Sequence, residues 1–118
     1  MNELEELFAK WEHEARAYKG LKELRDWYRR TLEEVYQPYE VEAQRVRAAG
    51  KTLSPKDRDE IEERTGVAIR SRQLQKVYEE AVEAFMGHVA GELTNPSSDA
   101  YREVIAKYDR AWKELARR

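Results

Sequence analysis

The residues best suited to acid–base or metal chemistry are two histidines, His13 and His88. His13 stands between Glu12 and Glu14, and adjacent residues of a helix do not share a face, so these three form no ligand cluster. His88 and Glu92 are four residues apart, which places both on one helix face at a spacing that suits a metal ion. His88 also borders an apolar stripe, and we favour a histidine at the edge of the core beside a carboxylate.

Other catalytic groups are scarce in this chain. It has no cysteine, and its four serines stand at cap or surface positions. Without cysteine there is no disulfide, no thiolate zinc site and no cysteine-held iron–sulfur cluster. There is no glycine-rich phosphate loop, and the Glu-x-x-His signature of carboxylate-bridged metal bundles is missing at both histidines. We therefore expect a protein that is not an enzyme and that holds no metal ion and no cofactor.

Composition narrows the class of protein further. The chain has 118 residues, of which 39% are charged, and a net charge of −2. That balance gives no overall attraction to nucleic acid or to an anionic membrane. No run approaches the about 18 apolar residues of a membrane-spanning helix, and the first ten residues lack the apolar stretch of a signal peptide. We expect one domain over residues 1–118, cytoplasmic and without membrane association.

Apolar residues recur at the spacing of amphipathic helices, and no segment alternates like a strand. Ser54-Pro55 followed by Asp57 is typical of a helix start, and Gly50 is typical of a left-handed helix end. Residues 94–99 form a loop before a terminal helix. The pattern predicts an all-α fold, an antiparallel bundle of four to five helices, with kinks or breaks near Gly20, Pro38 and Gly66.

The first apolar stripe bears on assembly. It comprises Leu4, Leu7, Phe8, Trp11, Ala15 and Tyr18. If residues 3–36 formed one helix, it would be roughly 50 Å long, whereas a compact domain of this size is roughly 35 Å across. The stripe would then need a second chain to cover it. A hairpin at Gly20 would remove that argument, but we expect a homodimer.

Large aromatic residues are the best candidates for contacts with a partner, because such residues dominate the energetics of interfaces. Each of them is also a candidate for the core. The predicted interface residues are Trp11, Trp27, Tyr28, Tyr36, Tyr39 and Trp112.

Clustered cations suggest a second kind of partner, RNA or single-stranded nucleic acid, bound by a small helical subunit of a larger complex. Residues 64–76 hold four cations and no acid, and residues 44–58 hold five cations and one acid. Such clusters give weak, salt-dependent binding, although a surface laced with salt bridges explains them as well. The residues of this alternative are Arg45, Arg47, Lys51, Arg64, Arg70, Arg72 and Lys76.

Three segments resemble the YlbF/YmcA family of small bacterial helical proteins. Residues 17–23, Ala-Tyr-Lys-Gly-Leu-Lys-Glu, are similar to its early "EYKxLKE" segment, and residues 44–55 to its "Q…GK-x-L-S-P" helix end, turn and helix start. Residues 69–93 are similar to its long final helix. The resemblance covers about residues 9–95 and implies a non-enzymatic regulatory protein that works in complexes, in some members alongside the RNA-processing machinery. The terminal helix lies beyond it, and the cysteines with which some members hold iron–sulfur clusters are absent here.

Overall fold

The structure is a computed structural model that describes residues 3–91 and 100–117, without the side chains of Ala9, His13, Arg16 and Ala90. The predicted 94–99 loop and Glu92 lie outside these residues. Four α-helices and no strand occur in the described ranges, so the all-α prediction is confirmed. They are α1 (Glu3–Ala48), α2 (Pro55–Thr65), α3 (Val67–Gly91) and α4 (Ala100–Arg117).

Helix α1 continues through Gly20 and Pro38, so the breaks allowed at these two residues do not occur. At Gly20 the physical reason is packing. The ring of Phe85 occupies the space that a Cβ at position 20 would need. Glycine therefore allows a close contact between the helix and this ring, and it does not end the helix. At Pro38 one helical hydrogen bond is lost, at a cost of about 3 kcal/mol. The turns that follow are held by packing, since Tyr39 and Ala43 join a cluster with Leu53 and Ile61.

Helix ends lie where the local sequence predicted them. Gly50 has φ +78°, its N–H donates to the Arg47 carbonyl at 3.0 Å, and the Lys51 N–H donates to the Val46 carbonyl at 3.3 Å. This pair of bonds is a Schellman motif, which satisfies the last carbonyls of α1. Gly66, with φ +65°, ends α2 in the same left-handed conformation, and α3 begins at the next residue. The predicted break at Gly66 is therefore confirmed.

The start of α2 is a capping box. The Ser54 hydroxyl accepts a hydrogen bond from the Asp57 N–H at 3.1 Å, and the Asp57 carboxylate accepts one from the Ser54 N–H at 3.1 Å. Hydrogen bonds from the backbone and side chain of Ser54 lower the pKa of Asp57 below its ordinary value. The two hydrogen bonds of the capping box satisfy two backbone N–H groups, those of Ser54 and Asp57, that would otherwise be unpaired.

The chain forms two compact units, residues 1–27 with 77–118 and residues 28–76. We call them unit 1 and unit 2. In unit 1, Leu24 of α1 joins Ala81 and Phe85 of α3 and Tyr101 and Val104 of α4 in one buried cluster. In unit 2, the buried cluster consists of Ala43, Leu53 and Ile61, with Tyr39 and Val46 packed against it. A single domain over residues 1–118 stays a prediction. Within the described ranges, no helix has the length and apolar character needed to cross a membrane.

Candidate recognition surface

Helix α1 buries one face within unit 1. Gly20, Leu24 and Trp27 are all buried, at spacings of four and three residues. Helix α4 runs alongside in the same direction, because Lys19 reaches the Tyr101 ring and the Trp27 Nε1–H donates to Asp109 Oδ1 at 3.0 Å. This face of α1 therefore packs against the rest of unit 1 and stabilises the fold.

A second apolar face of α1 is exposed. We call it the N-terminal stripe, and it consists of Leu4, Leu7, Phe8, Trp11 and Tyr18. Trp11 is 52% exposed, Phe8 50% and Tyr18 69%. Phe8 and Trp11 contact each other edge to face, with ring centroids 5.6 Å apart and planes at 78°. That is a favoured geometry for an aromatic pair, and it holds two large rings side by side at the surface.

The two faces point in opposite directions. At 100° per residue, the mean direction of the N-terminal stripe differs by roughly 180° from that of Gly20, Leu24 and Trp27. Every described side chain of residues 3–15 is exposed, including those on the other faces of the helix, so the described chain leaves the N-terminal stripe open. A contiguous apolar patch of this kind is typical of a surface that binds another protein.

Charged residues border the N-terminal stripe. The sequence from residue 3 to residue 14 carries five glutamates and one lysine, Lys10. Acids at the start of a helix also favour the positive end of its dipole. An anionic membrane or a nucleic acid would be repelled by this border, whereas a protein surface with lysines would be attracted.

Only some of the predicted interface residues are accessible. Trp11 and Tyr36 are exposed, and Tyr28 and Tyr39 are half-buried. Trp27 and Trp112 are 4% and 6% exposed, so both lie in the interior of the folded chain. Of the six, Trp11 alone belongs to the N-terminal stripe, and Tyr36 lies in unit 2, where its ring meets that of Tyr39 edge to face at 6.4 Å.

Four stripe residues were absent from the predicted interface: Leu4, Leu7, Phe8 and Tyr18. Their helical spacing was plain in the sequence, but a break at Gly20 would have allowed them to fold back into the core. The signal that could have identified them is the angular position of the apolar residues around the helix axis, compared between the two parts of α1. If α1 is read as one continuous helix, residues 4–18 and residues 20–27 place their apolar side chains on opposite faces.

A groove of about 580 Å³ lies between α1 and α4 in unit 1. Tyr101 contributes to its wall, with the Lys19 ammonium 5.9 Å and the Arg102 guanidinium 5.7 Å from the ring centroid. Asp109 lies in the same groove and pairs with Lys113 at 2.8 Å. Burial raises the pKa of Asp109, but hydrogen bonds from Lys113 and Trp27 outweigh it, and the pKa is lowered overall. Two of these contacts join α4 to α1: that of Lys19 with the Tyr101 ring and that of the Trp27 indole with Asp109.

A second groove, of about 670 Å³, follows α1 in unit 2 and is lined by Arg29, Leu32, Glu33, Tyr36, Gln37 and Glu40. It has no nucleophile paired with a base. In the described ranges, no group of three His, Asp or Glu side chains converges where a metal ion could be held. His88 is exposed, and Glu92, its proposed companion, lies outside those ranges.

The seven predicted nucleic-acid residues all fall in unit 2, from Arg45 at the end of α1 to Lys76 in α3. Six have exposed side chains, and Arg70 is half-buried. Arg64 forms an ion pair with Glu42 at 3.5 Å, which reduces the positive charge it offers to a ligand. The cations thus share one compact unit, with an acidic run of α2, Asp59 to Glu63, in the same unit.

Comparison with known proteins gives no match: no protein-family model fits the chain, and no curated protein and no solved structure is detectably similar to it. The YlbF/YmcA resemblance accordingly stays a prediction made from the sequence.

Proposed function

We propose that this chain is a non-enzymatic regulatory or scaffolding protein that acts through helix-mediated protein contacts and self-association. The observation that carries the proposal is the exposed N-terminal stripe, on the face of α1 opposite its buried face. Aromatic side chains in a partner's groove supply much of the binding energy of helix-in-groove complexes. Phe8 and Trp11 are side by side and ready for such a contact.

The surrounding charges support a protein partner. The glutamates beside the N-terminal stripe disfavour anionic ligands and favour a partner with lysines or arginines at its rim. The YlbF/YmcA resemblance agrees with this proposal, because it implies a regulatory protein that works in complexes. A cytoplasmic location remains part of the proposal.

The test is site-specific photo-cross-linking in cells of the source organism. A benzoylphenylalanine at position 11 replaces one exposed apolar residue with another of similar size, and position 69 is the control, because Ile69 is 63% exposed in unit 2. We expect defined cross-linked protein products from position 11 that are absent from position 69. Equal products from both positions, or none from position 11, would contradict the proposal.

A second candidate function is binding of RNA or single-stranded nucleic acid by unit 2. It is supported by the grouping of all seven predicted cations in one compact unit, six of them exposed. The acids of α2 in the same unit weigh against it, so we place it second.

A further inference from the structure

We propose that residues 3–15 of α1, which we call the N-terminal segment, exchange readily between helix and unfolded backbone in the free chain, and that binding at the N-terminal stripe fixes the segment as a helix. This inference rests on the proposed function, since it states what sets the affinity of that same surface. It is carried by the point along α1 at which packing against the rest of unit 1 ends.

Packing of α1 against unit 1 ends near Gly20. The ring of Phe85 lies against the backbone of Gly20, and Leu24, about one turn further on, is fully buried. Ala17 is half-buried, and every side chain that the structure describes in the N-terminal segment is exposed. The segment spans more than three helical turns, so this exposure includes all of its faces. The rest of unit 1 therefore gives the segment little support.

Interactions within the N-terminal segment are weak. A helix of this length without tertiary packing is marginal in water. Glu6 and Lys10 are four residues apart and favour the helix slightly, and Phe8 and Trp11 contact each other, although aromatic residues form helices less readily than Leu, Lys or Glu. Because the segment extends a helix that is already formed, it needs no nucleation and opens from its N-terminal end inward. We therefore expect comparable populations of the helical and the unfolded segment.

This balance sets the affinity of the N-terminal stripe. A partner that binds the helical form meets only the fraction of chains in which the segment is helical. The apparent Kd is the intrinsic Kd divided by that fraction, so affinity depends on residues that do not touch the partner. Any change that shifts the balance between helix and unfolded backbone then regulates binding, and binding in turn orders the segment.

Two paired variants of the full chain separate helix formation from contact. Glu6 and Lys10 lie off the N-terminal stripe, roughly 140° and 100° from its mean direction. One variant, the alanine pair, carries Glu6→Ala with Lys10→Ala, and the other, the glycine pair, carries Glu6→Gly with Lys10→Gly. Both lose the same two charges. They differ in helix propensity alone, by about fivefold in the ratio of helix to unfolded backbone at each position.

Hydrogen exchange followed by mass spectrometry at about 1 μM measures the free segment. In the wild type, the amides of residues 7–12 should exchange within about tenfold of the unfolded rate, and those of residues 24–27 at least about 1,000-fold more slowly than that rate. The urea midpoint should be the same for both pairs, because the N-terminal segment is not part of the core of unit 1. With benzoylphenylalanine at position 11, the glycine pair should give at least about fivefold less cross-linked product than the alanine pair.

The opposite results overturn the proposal. Residues 7–12 that are as protected as residues 24–27 would show a stable free helix, and a lower urea midpoint for the glycine pair would show that the segment packs with the core. Equal cross-linking from both pairs would refute the coupling of helix formation to binding, while leaving the proposed function intact. Absence of cross-linking from position 11 in every variant would contradict the proposed function, whereas hydrogen exchange would still decide whether the free segment unfolds.

Discussion

The ring of Phe85 in α3 lies directly against the backbone of Gly20 in α1, in the space that a side chain at position 20 would fill. The two residues are 65 positions apart in the chain. Glycine here allows a close approach of ring and helix, and the interior cost of glycine, about 1 kcal/mol, is offset by that packing.

Gly20→Ala should lower the free energy of unfolding by about 1–3 kcal/mol, because the new methyl group overlaps the Phe85 ring and forces it to move. Urea denaturation followed by circular dichroism measures this. The matched control is Gly87→Ala, also within a helix but with open space at its Cβ, which should stabilise by about 1 kcal/mol. Adding Phe85→Leu to Gly20→Ala should recover part of the loss, and equal stabilisation by both alanines would refute the contact.

Trp27→Phe should destabilise the chain by about 1–2 kcal/mol at pH 7, because it removes the indole donor to the Asp109 carboxylate. The pKa of Asp109 is lowered in the folded state, so its contribution is present above the unfolded pKa and is lost as pH falls through the folded pKa. The difference between variant and wild type should therefore shrink toward pH 3. Trp112→Phe, at another buried tryptophan, serves as the control, and its cost should not depend on pH in this way.

Ser54→Ala should destabilise by about 1 kcal/mol through loss of the cap on α2. It should also raise the pKa of Asp57 toward the ordinary value, because the Ser54 hydroxyl is one of the groups that lower it. Carboxyl NMR titration measures the second effect. The stability contributed by the lowered pKa is present above the unfolded value and is lost as pH falls through the folded one. An unchanged free energy of unfolding would contradict the capping box, because the variant removes the acceptor of the Asp57 N–H.

Removing three cations by Arg45→Gln, Arg47→Gln and Lys51→Gln tests the nucleic-acid alternative. If unit 2 binds single-stranded RNA, the slope of log K against log salt should fall by about 2, at about 0.7 per phosphate contact. The matched control neutralises Lys22, Arg25 and Arg110, which lie in unit 1, and should leave the slope unchanged. Absence of binding by the wild type at low salt would eliminate this function.

The parts of the fold that could be predicted from sequence are those fixed by near neighbours. The Gly50 and Gly66 ends and the Ser54 cap depend on bonds across three to five residues, and all three predictions are confirmed. The break considered at Gly20 was wrong because the ring of Phe85 comes from a distant part of the chain. No local pattern contains that contact.

The candidate surface shows the same division. The spacing of Leu4, Leu7 and Trp11 was evident, but their exposure follows from the continuity of α1, which the sequence left open. Trp27 was predicted for the interface, yet its indole is buried and bound to Asp109, 82 residues away. Whether an aromatic residue lies in the core or at the surface depends on such partners.

The most direct test of two opposed apolar faces on α1 is fluorine NMR of the chain labelled with 5-fluorotryptophan, recorded from about 5 μM to 1 mM. At low concentration the Trp11 fluorine resonance should change its chemical shift when H₂O is replaced by D₂O, as expected for a ring exposed to solvent. This solvent effect should decrease at high concentration, because the ring becomes covered as copies associate. The resonances of Trp27 and Trp112 should stay protected and unchanged. A Trp11 resonance that is already protected at the lowest concentration, or that stays exposed throughout, would contradict the account.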